Sequence, residues 1–172
     1  VKILTNYFKK VFLIAAKDMR IEFRSKEKIY SMMLFSLLVM VIFNFAFEPG
    51  AEYIKDVAPG ILWVAFIFAA SLGLSRSFVL EKEEDCMQGL MLSPLDRSGI
   101  YLGKVIGNFI FTMMIELVSL PFFAIFFNLS LTAALPPLMI VIVLATFGFI
   151  AVGTLFSALS VGIRGGDMIL PL

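Results

Sequence analysis

Apolar residues run along this chain in long unbroken blocks, at residues 30–47, 61–78, 100–127 and 135–159, with another opening at Ile169. Each block is about 18 residues or longer, enough to cross a hydrocarbon core of ~30 Å as a helix. The blocks are continuously apolar and do not alternate, so helices and not barrel strands are expected. The pattern predicts an all-α polytopic membrane helix bundle, with four complete spans and the start of a fifth. Because the chain ends within an apolar run, one or two further spans are expected beyond it. The first block is longer than the roughly 7–15-residue core of a signal peptide and stands far behind the start, so it reads as a signal anchor or true first span.

Ahead of that block lies a different pattern. On a wheel of about 100° per residue, Leu4, Tyr7, Phe8, Val11, Phe12, Ala15 and Met19 fall on one side. Lys2, Lys9, Lys10, Lys17, Arg20 and Arg24 fall on the other. This predicts an amphipathic helix with a basic face, suited to lie in the headgroup layer. Residues 1–29 are therefore expected to form an interfacial helix, and 30–172 the transmembrane domain. Such a helix serves either as an anchor or as a lateral lever touched by a cytoplasmic partner.

Composition agrees with the pattern. Sixty per cent of residues are apolar and 16% are charged, where a soluble domain carries about a quarter charged residues. The net charge of +1 hides an asymmetry. Of the 14 basic residues, only Lys55 falls in the loop at 48–60, and none falls at 128–134. The others precede the first span, lie between Arg76 and Lys104, or follow the fourth span at Arg164. The positive-inside rule puts the N-terminus, the 81–104 segment and the 162–167 loop in the cytoplasm.

Span ends carry ordinary signals. Pro59-Gly60 and Pro136-Pro137 stand ahead of apolar runs, where a first helical turn tolerates proline. Ser98 is the expected N-cap before Ile100. Gly103 and Gly107, and less clearly Gly148 and Val152, have the small-xxx-small spacing that lets helices approach closely.

Catalytic patterns are missing. The chain has no histidine and one cysteine, Cys86, which excludes His-ligated metal or haem sites and an internal disulfide. It has no G-x-S-x-G and no P-loop, so ATP hydrolysis, if used, is expected in a partner, and no metal site is expected. Glu116 is the one carboxylate deep in a span. Such a group is costly and faces the bundle interior or a wet cavity. It either makes an interhelical hydrogen bond or serves function, through substrate contact or a hinge near Pro121. Asn44 and Asn108 are expected to bond between helices, and Trp63 to sit in the outer aromatic belt.

One polar island interrupts the oily sequence, Glu81-Lys-Glu-Glu-Asp-Cys-Met-Gln-Gly-Leu-Met-Leu-Ser-Pro-Leu-Asp-Arg-Ser-Gly-Ile-Tyr-Leu-Gly-Lys104. Glu81, Glu83, Glu84 and Asp85 supply negative charge, while Met87, Leu90 and Leu92 supply apolar anchors. Met87, Leu90 and Met91 share a helical face, and Ser93-Pro94 ends the helix. A plain connector needs only a few residues, so residues 81–97 read as a docking element for a soluble partner.

At this island the chain resembles the type-2 ABC exporter permeases, and within them the haem exporter B family of bacterial cytochrome c maturation. The likeness is carried by Glu81-Lys-Glu-Glu84 and Gly89-Leu-Met-Leu-Ser-Pro-Leu-Asp-Arg-Ser-Gly-Ile-Tyr-Leu-Gly-Lys104. Lys17-Asp-Met-Arg-Ile-Glu-Phe-Arg24, Ala58-Pro-Gly-Ile-Leu-Trp-Val64, and Arg164-Gly-Gly166 before Leu170-Pro-Leu172 add to it. The chain departs from the family pattern at Glu84-Asp-Cys-Met-Gln-Gly-Leu90, where members often read Glu-x-Gly-Thr-Leu-Glu-Gln.

The resemblance implies six spans in a bacterial inner membrane and a cytoplasmic ABC ATPase partner. It makes 81–92 the coupling helix and 5–30 the connecting helix. It further implies other cytochrome c maturation membrane subunits, pairing with a second permease, contact with membrane lipids, no nucleic acid, and haem as substrate with ATP on the partner. The energised step is then haem export or release of a haem-loaded chaperone. The alternatives are a generic exporter of lipid, polysaccharide or drug, or a non-transporting assembly scaffold.

Overall fold

The computed structural model describes the backbone of residues 2–47, 53–77, 96–129 and 135–166, and the side chains of 6–24, 26–47, 53–75, 96–129 and 135–159. The described residues form α1 (Lys2–Ser25), α2 (Glu27–Ala46), α3 (Ile54–Ser77), α4 (Arg97–Phe126) and α5 (Leu135–Gly166). No strand occurs among them. The helices α2 to α5 are each long and apolar enough to cross a membrane. The chain is an all-α multi-pass membrane protein.

Helix ends differ from the hydropathy blocks in an informative way. A single residue, Lys26, separates α1 from α2, with φ 56° in the left-handed region. Its N–H donates to the Glu22 carbonyl at 3.1 Å, and its own carbonyl accepts from Tyr30 N–H at 2.9 Å. Hydrogen bonding therefore runs through the corner. The helix break lies at Lys26, three residues ahead of the expected end of the interfacial segment at 29, and Lys28 belongs to α2. Glu27 and Lys28 stand ahead of the apolar run, inside the helix that carries it.

The same reason moves two other ends. Helix α3 starts at Ile54, not 61, and holds Pro59 inside it. The proline's missing N–H falls in the second turn, where it deprives only the Lys55 carbonyl near the helix start. Helix α5 runs on to Gly166, through most of the segment expected as a loop at 162–167. Loss of apolarity marks where a helix leaves lipid, not where it ends. Pro136 and Pro137 do stand in the first turn of α5. Before α4 the capping position is Asp96, whose carbonyl accepts from Gly99 N–H at 2.8 Å. Ser98 is thus inside the helix, and its hydroxyl lies 3.4 Å from the Tyr7 hydroxyl instead.

The largest core cluster joins one end of all four long helices. It holds Val39 and Met40 of α2, Ile61 and Phe66 of α3, Leu120 and Phe123 of α4, and Ile142 of α5. The late part of α2 meets the early part of α3, and the late part of α4 meets the early part of α5. That is an up-and-down bundle. At its other end Ala70, Leu74, Val105 and Ile150 pack together. Outward positions such as Phe45, Ile125 and Leu144 are exposed, as lipid-facing side chains are. Lipid tails are as apolar as these side chains, so close fit and internal polar bonds, more than hydrophobicity, select the packing.

Glycines show where fit is tightest. A Cβ at Gly103 would stand 2.8 Å from Ile14 Cβ, and one at Gly107 would stand 3.5 Å from Ala15 Cα. The close-packing pair thus receives α1, and not another spanning helix. Gly148 has nothing within 4 Å of such an atom, and Val152 is exposed. That second pair is not a contact; Gly153 is, with Leu74 filling the space a side chain would take.

Candidate functional site at the junction of the amphipathic helix and the bundle

Helix α1 has three faces where its sequence suggested two. Val11 and Ala15 are buried, and Ile14 and Ala15 meet the glycine face of α4. Phe8 and Phe12, expected on the same side, are exposed at 61% and 62%. Lys9, Lys10, Lys17, Arg20 and Arg24 are exposed along the third face. The apolar arc is therefore divided, one part facing protein and the other pointing away from it.

Asp18 and Glu22 extend the protein-facing part. With Val11 and Ala15 they follow the spacing of one helical face. Each carboxylate meets a lysine of a spanning helix. Lys104 Nζ of α4 lies 3.0 Å from Asp18 Oδ2, with side-chain exposures of 3% and 16%. Lys17 Nζ lies 3.2 Å from the other oxygen, Oδ1. Lys28 Nζ of α2 donates to Glu22 Oε1 at 2.7 Å and to Asn108 Oδ1 at 3.2 Å. Asn108 Nδ2 in turn donates to Thr154 Oγ1 of α5 at 3.5 Å. The Lys28 ammonium also stands 4.9 Å from the centre of the Phe111 ring, a favourable place for a cation. Four helices thus share one buried polar junction.

Burying ions removes their hydration, and only pairing with good geometry offsets that loss. The arrangement is consequently selective for position: Asp18 and Glu22 cannot slide along the bundle without breaking both ion pairs. The ammonium groups of Lys28 and Lys104, which looked in the sequence like topogenic charge, hold α1 in register.

A second polar contact lies deeper. The Thr146 hydroxyl of α5 donates its one hydrogen across the Glu116 carboxyl, 2.8 Å from Oε2 and 3.0 Å from Oε1. Thr112, one turn before Glu116, is buried too, but the bond recorded for Glu116 goes to the other helix. Glu116 and Thr146 line a cleft of about 210 Å³ with Trp63, Phe66, Ile67, Ala70, Ala145 and Phe149. Trp63, expected in an interfacial belt, faces this cleft and meets the edge of Phe66. Asn44 donates to the Phe126 carbonyl, and Ser36 and Ser119 hydroxyls lie 3.3 Å apart, so α2 and α4 are bonded at several depths.

The candidate coupling residues Glu81, Glu83, Glu84, Asp85, Met87, Leu90 and Leu92 lie outside the described residues. Among the described residues, no group of three or more His, Cys, Asp or Glu is placed to hold a metal ion. The sequence reading missed Asp18, Glu22, Lys28, Lys104 and Thr146 as partners. One signal was available: Asp18 and Glu22 share the wheel face of Val11 and Ala15, where exposed carboxylates would not be expected.

Residues 9–172 match the family described as CcmB protein. The chain belongs to that family. The match includes α1 from Lys9 onward and all four spanning helices, so the ionic junction lies within it. The chain is similar to "Heme exporter protein B" of Pseudomonas aeruginosa, 28% identical over 160 residues, which is 93% of this chain and 71% of the relative. It is similar to the protein of that name from Rhodobacter capsulatus, 28% identical over 159 residues, 92% of this chain and 72% of the relative. The Escherichia coli K12 protein of the same name is 30% identical over 95 residues, 55% of this chain and 43% of the relative.

Proposed function

We propose that this chain is the membrane permease subunit of an ABC transporter acting in haem export for cytochrome c maturation. The observation that carries this reading is the family match over residues 9–172, together with relatives named "Heme exporter protein B" across more than nine-tenths of the chain. Haem is then substrate, not a resident cofactor. ATP is hydrolysed by a cytoplasmic ABC ATPase, and the work in the membrane is mechanical.

The finer parts of this reading are supported by the charge pattern, the exposed faces of α1 and the family resemblance. The basic residues of α1 and of residues 76–104 support a cytoplasmic side for both, in a bacterial inner membrane. Residues 81–97 seat on the ATPase through Glu81, Glu83, Glu84 and Asp85, with Met87, Leu90 and Leu92 as apolar anchors. Exposed Lys9, Lys10, Lys17, Arg20 and Arg24 meet phospholipid headgroups, and Phe8 and Phe12 enter the acyl boundary. A second permease copy and other cytochrome c maturation subunits complete the assembly.

The reading is tested by isolating the protein from its native membrane and identifying what accompanies it. Recovery of an ABC ATPase is expected, and its absence would sink the proposal. Charge reversal at Glu81, Glu83 and Glu84 should weaken that association while insertion stays intact. An ATPase-dead partner that still supported cytochrome c assembly would favour a scaffold instead.

A further inference from the structure

Helix α1 is bound to the bundle more firmly than an interfacial anchor requires. An anchor needs only a lipid face and a basic face, and α1 has both. Its third face adds a close backbone approach at Gly103 and Gly107 and the buried Asp18–Lys104 pair, all on α4. The Glu22–Lys28 pair bridges the left-handed corner at Lys26, so the bend between α1 and α2 is clamped from inside. Lys28 and Asn108 then tie α2 to α4 at the same level.

These contacts have a mechanical consequence. A joint between rigid bodies works through weak or replaceable contacts, whereas this one combines close-packed small residues with paired buried charges that lose their compensation when separated. The left-handed corner beside it, at residue 26, is bridged by an ion pair. Helix α4 begins at Arg97, directly after residues 81–96 of the polar island in sequence, so α4 is the span that both α1 and the island adjoin.

We infer that α1 and the cytoplasmic part of α4 move as one rigid lever during the transport cycle, with Asp18–Lys104 and the Gly103–Gly107 face as its joint. Force applied to α1 by the ATPase enters α4 directly, and does not have to pass around the corner into α2. The inference rests on the permease reading and adds a route for motion to it: α4 receives the stroke from the coupling segment at its end and from α1 along its side.

The test exploits the 3.7 Å between Asp18 Cβ and the Cβ position at Gly107, which lies in the range of about 3.5–4.5 Å found in disulfides. Asp18→Cys with Gly107→Cys is made together with Lys104→Met, so that no buried charge loses its partner, in a Cys86→Ala parent, and the protein is purified with its ATPase and placed in lipid vesicles. ATP hydrolysis is measured after oxidation with copper phenanthroline and after reduction with dithiothreitol. The lever predicts that the oxidised pair hydrolyses at no less than half the parent rate, because the covalent bond replaces the ion pair. The reduced pair, with its joint loosened, runs several-fold slower than the oxidised one.

An oxidised rate below half the parent's, or a reduced rate equal to or above the oxidised one, overturns the lever while leaving the permease reading standing. If no ATPase accompanies the parent, the permease reading fails and takes the lever with it. Should the Asp18→Cys protein not reach the membrane, Ala15→Cys with Gly107→Cys keeps the ion pair and is judged on its oxidised rate by the same threshold.

Discussion

Asp18 of the amphipathic helix and Lys104 of the third spanning helix lie 3.0 Å apart, with the lysine side chain 3% exposed. Residues 86 positions apart in sequence thus form an ion pair that sets where a surface helix rests on a membrane bundle. Removing one partner of a buried pair leaves an uncompensated charge, at about 3–5 kcal/mol. Replacing both by apolar groups of similar shape is often near neutral.

For this pair, Asp18→Leu takes the carboxylate from beside the 3%-exposed Lys104 and should sharply lower the melting temperature in detergent, while Asp18→Leu combined with Lys104→Met should recover most of the loss. Thermal unfolding of the two proteins beside wild type measures it. Equal melting temperatures for the single and double variants would show that the pair contributes no register.

Gly103 and Gly148 make opposite predictions for the same substitution. At Gly103 an added Cβ meets Ile14 Cβ at 2.8 Å, and overpacking of this kind costs about 1–3 kcal/mol. At Gly148 nothing lies within 4 Å, and glycine inside a helix is about 0.5–1 kcal/mol worse than alanine. Gly103→Ala should therefore destabilise and Gly148→Ala should not, as read by melting in the same detergent.

Glu116 and Thr146 separate packing from function. Thr146→Val removes the recorded donor and should cost roughly 1–3 kcal/mol, the range for a buried group left without its bond. Glu116→Gln keeps an acceptor for Thr146, so stability should hold. Cytochrome c maturation by the Gln variant then decides the carboxylate's role. Unchanged maturation at full expression assigns Glu116 to helix packing alone, and a loss at normal stability assigns it to the transport cycle.

Lys26 carries a left-handed backbone, φ 56°, in a region that side chains other than glycine occupy at a penalty of order 1 kcal/mol. Lys26→Gly should leave the corner intact and raise the melting temperature slightly. Lys26→Val, β-branched and ill suited to that region, should lower it.

Much of the fold was legible because hydropathy and helix length are local properties. The four apolar blocks correspond to α2 to α5, and the basic wheel face of α1 is exposed as its periodicity predicts. Helix ends were less legible. Glu27, the Lys55-Asp56 turn of α3 and Gly166 lie where the chain is helical but not continuously apolar, and hydropathy reports contact with lipid, not backbone hydrogen bonding. Ser98 satisfied the composition of a cap, but Asp96 precedes the first turn.

Sequence by itself determined that this is a helical, multi-pass membrane protein with a basic amphipathic start, no nucleotide-binding motif and a patterned polar island between two spans. Each conclusion follows from neighbours along the chain. Only the tertiary structure decided that α1 has a protein face, that Gly103 and Gly107 receive it, and that Asp18, Glu22, Lys28 and Lys104 pair beneath it. Glu116 likewise finds Thr146 only across two helices. The charged partners are up to 86 positions apart, and the pairing of a buried charge depends on which distant group the fold brings within hydrogen-bond reach, which no local period encodes.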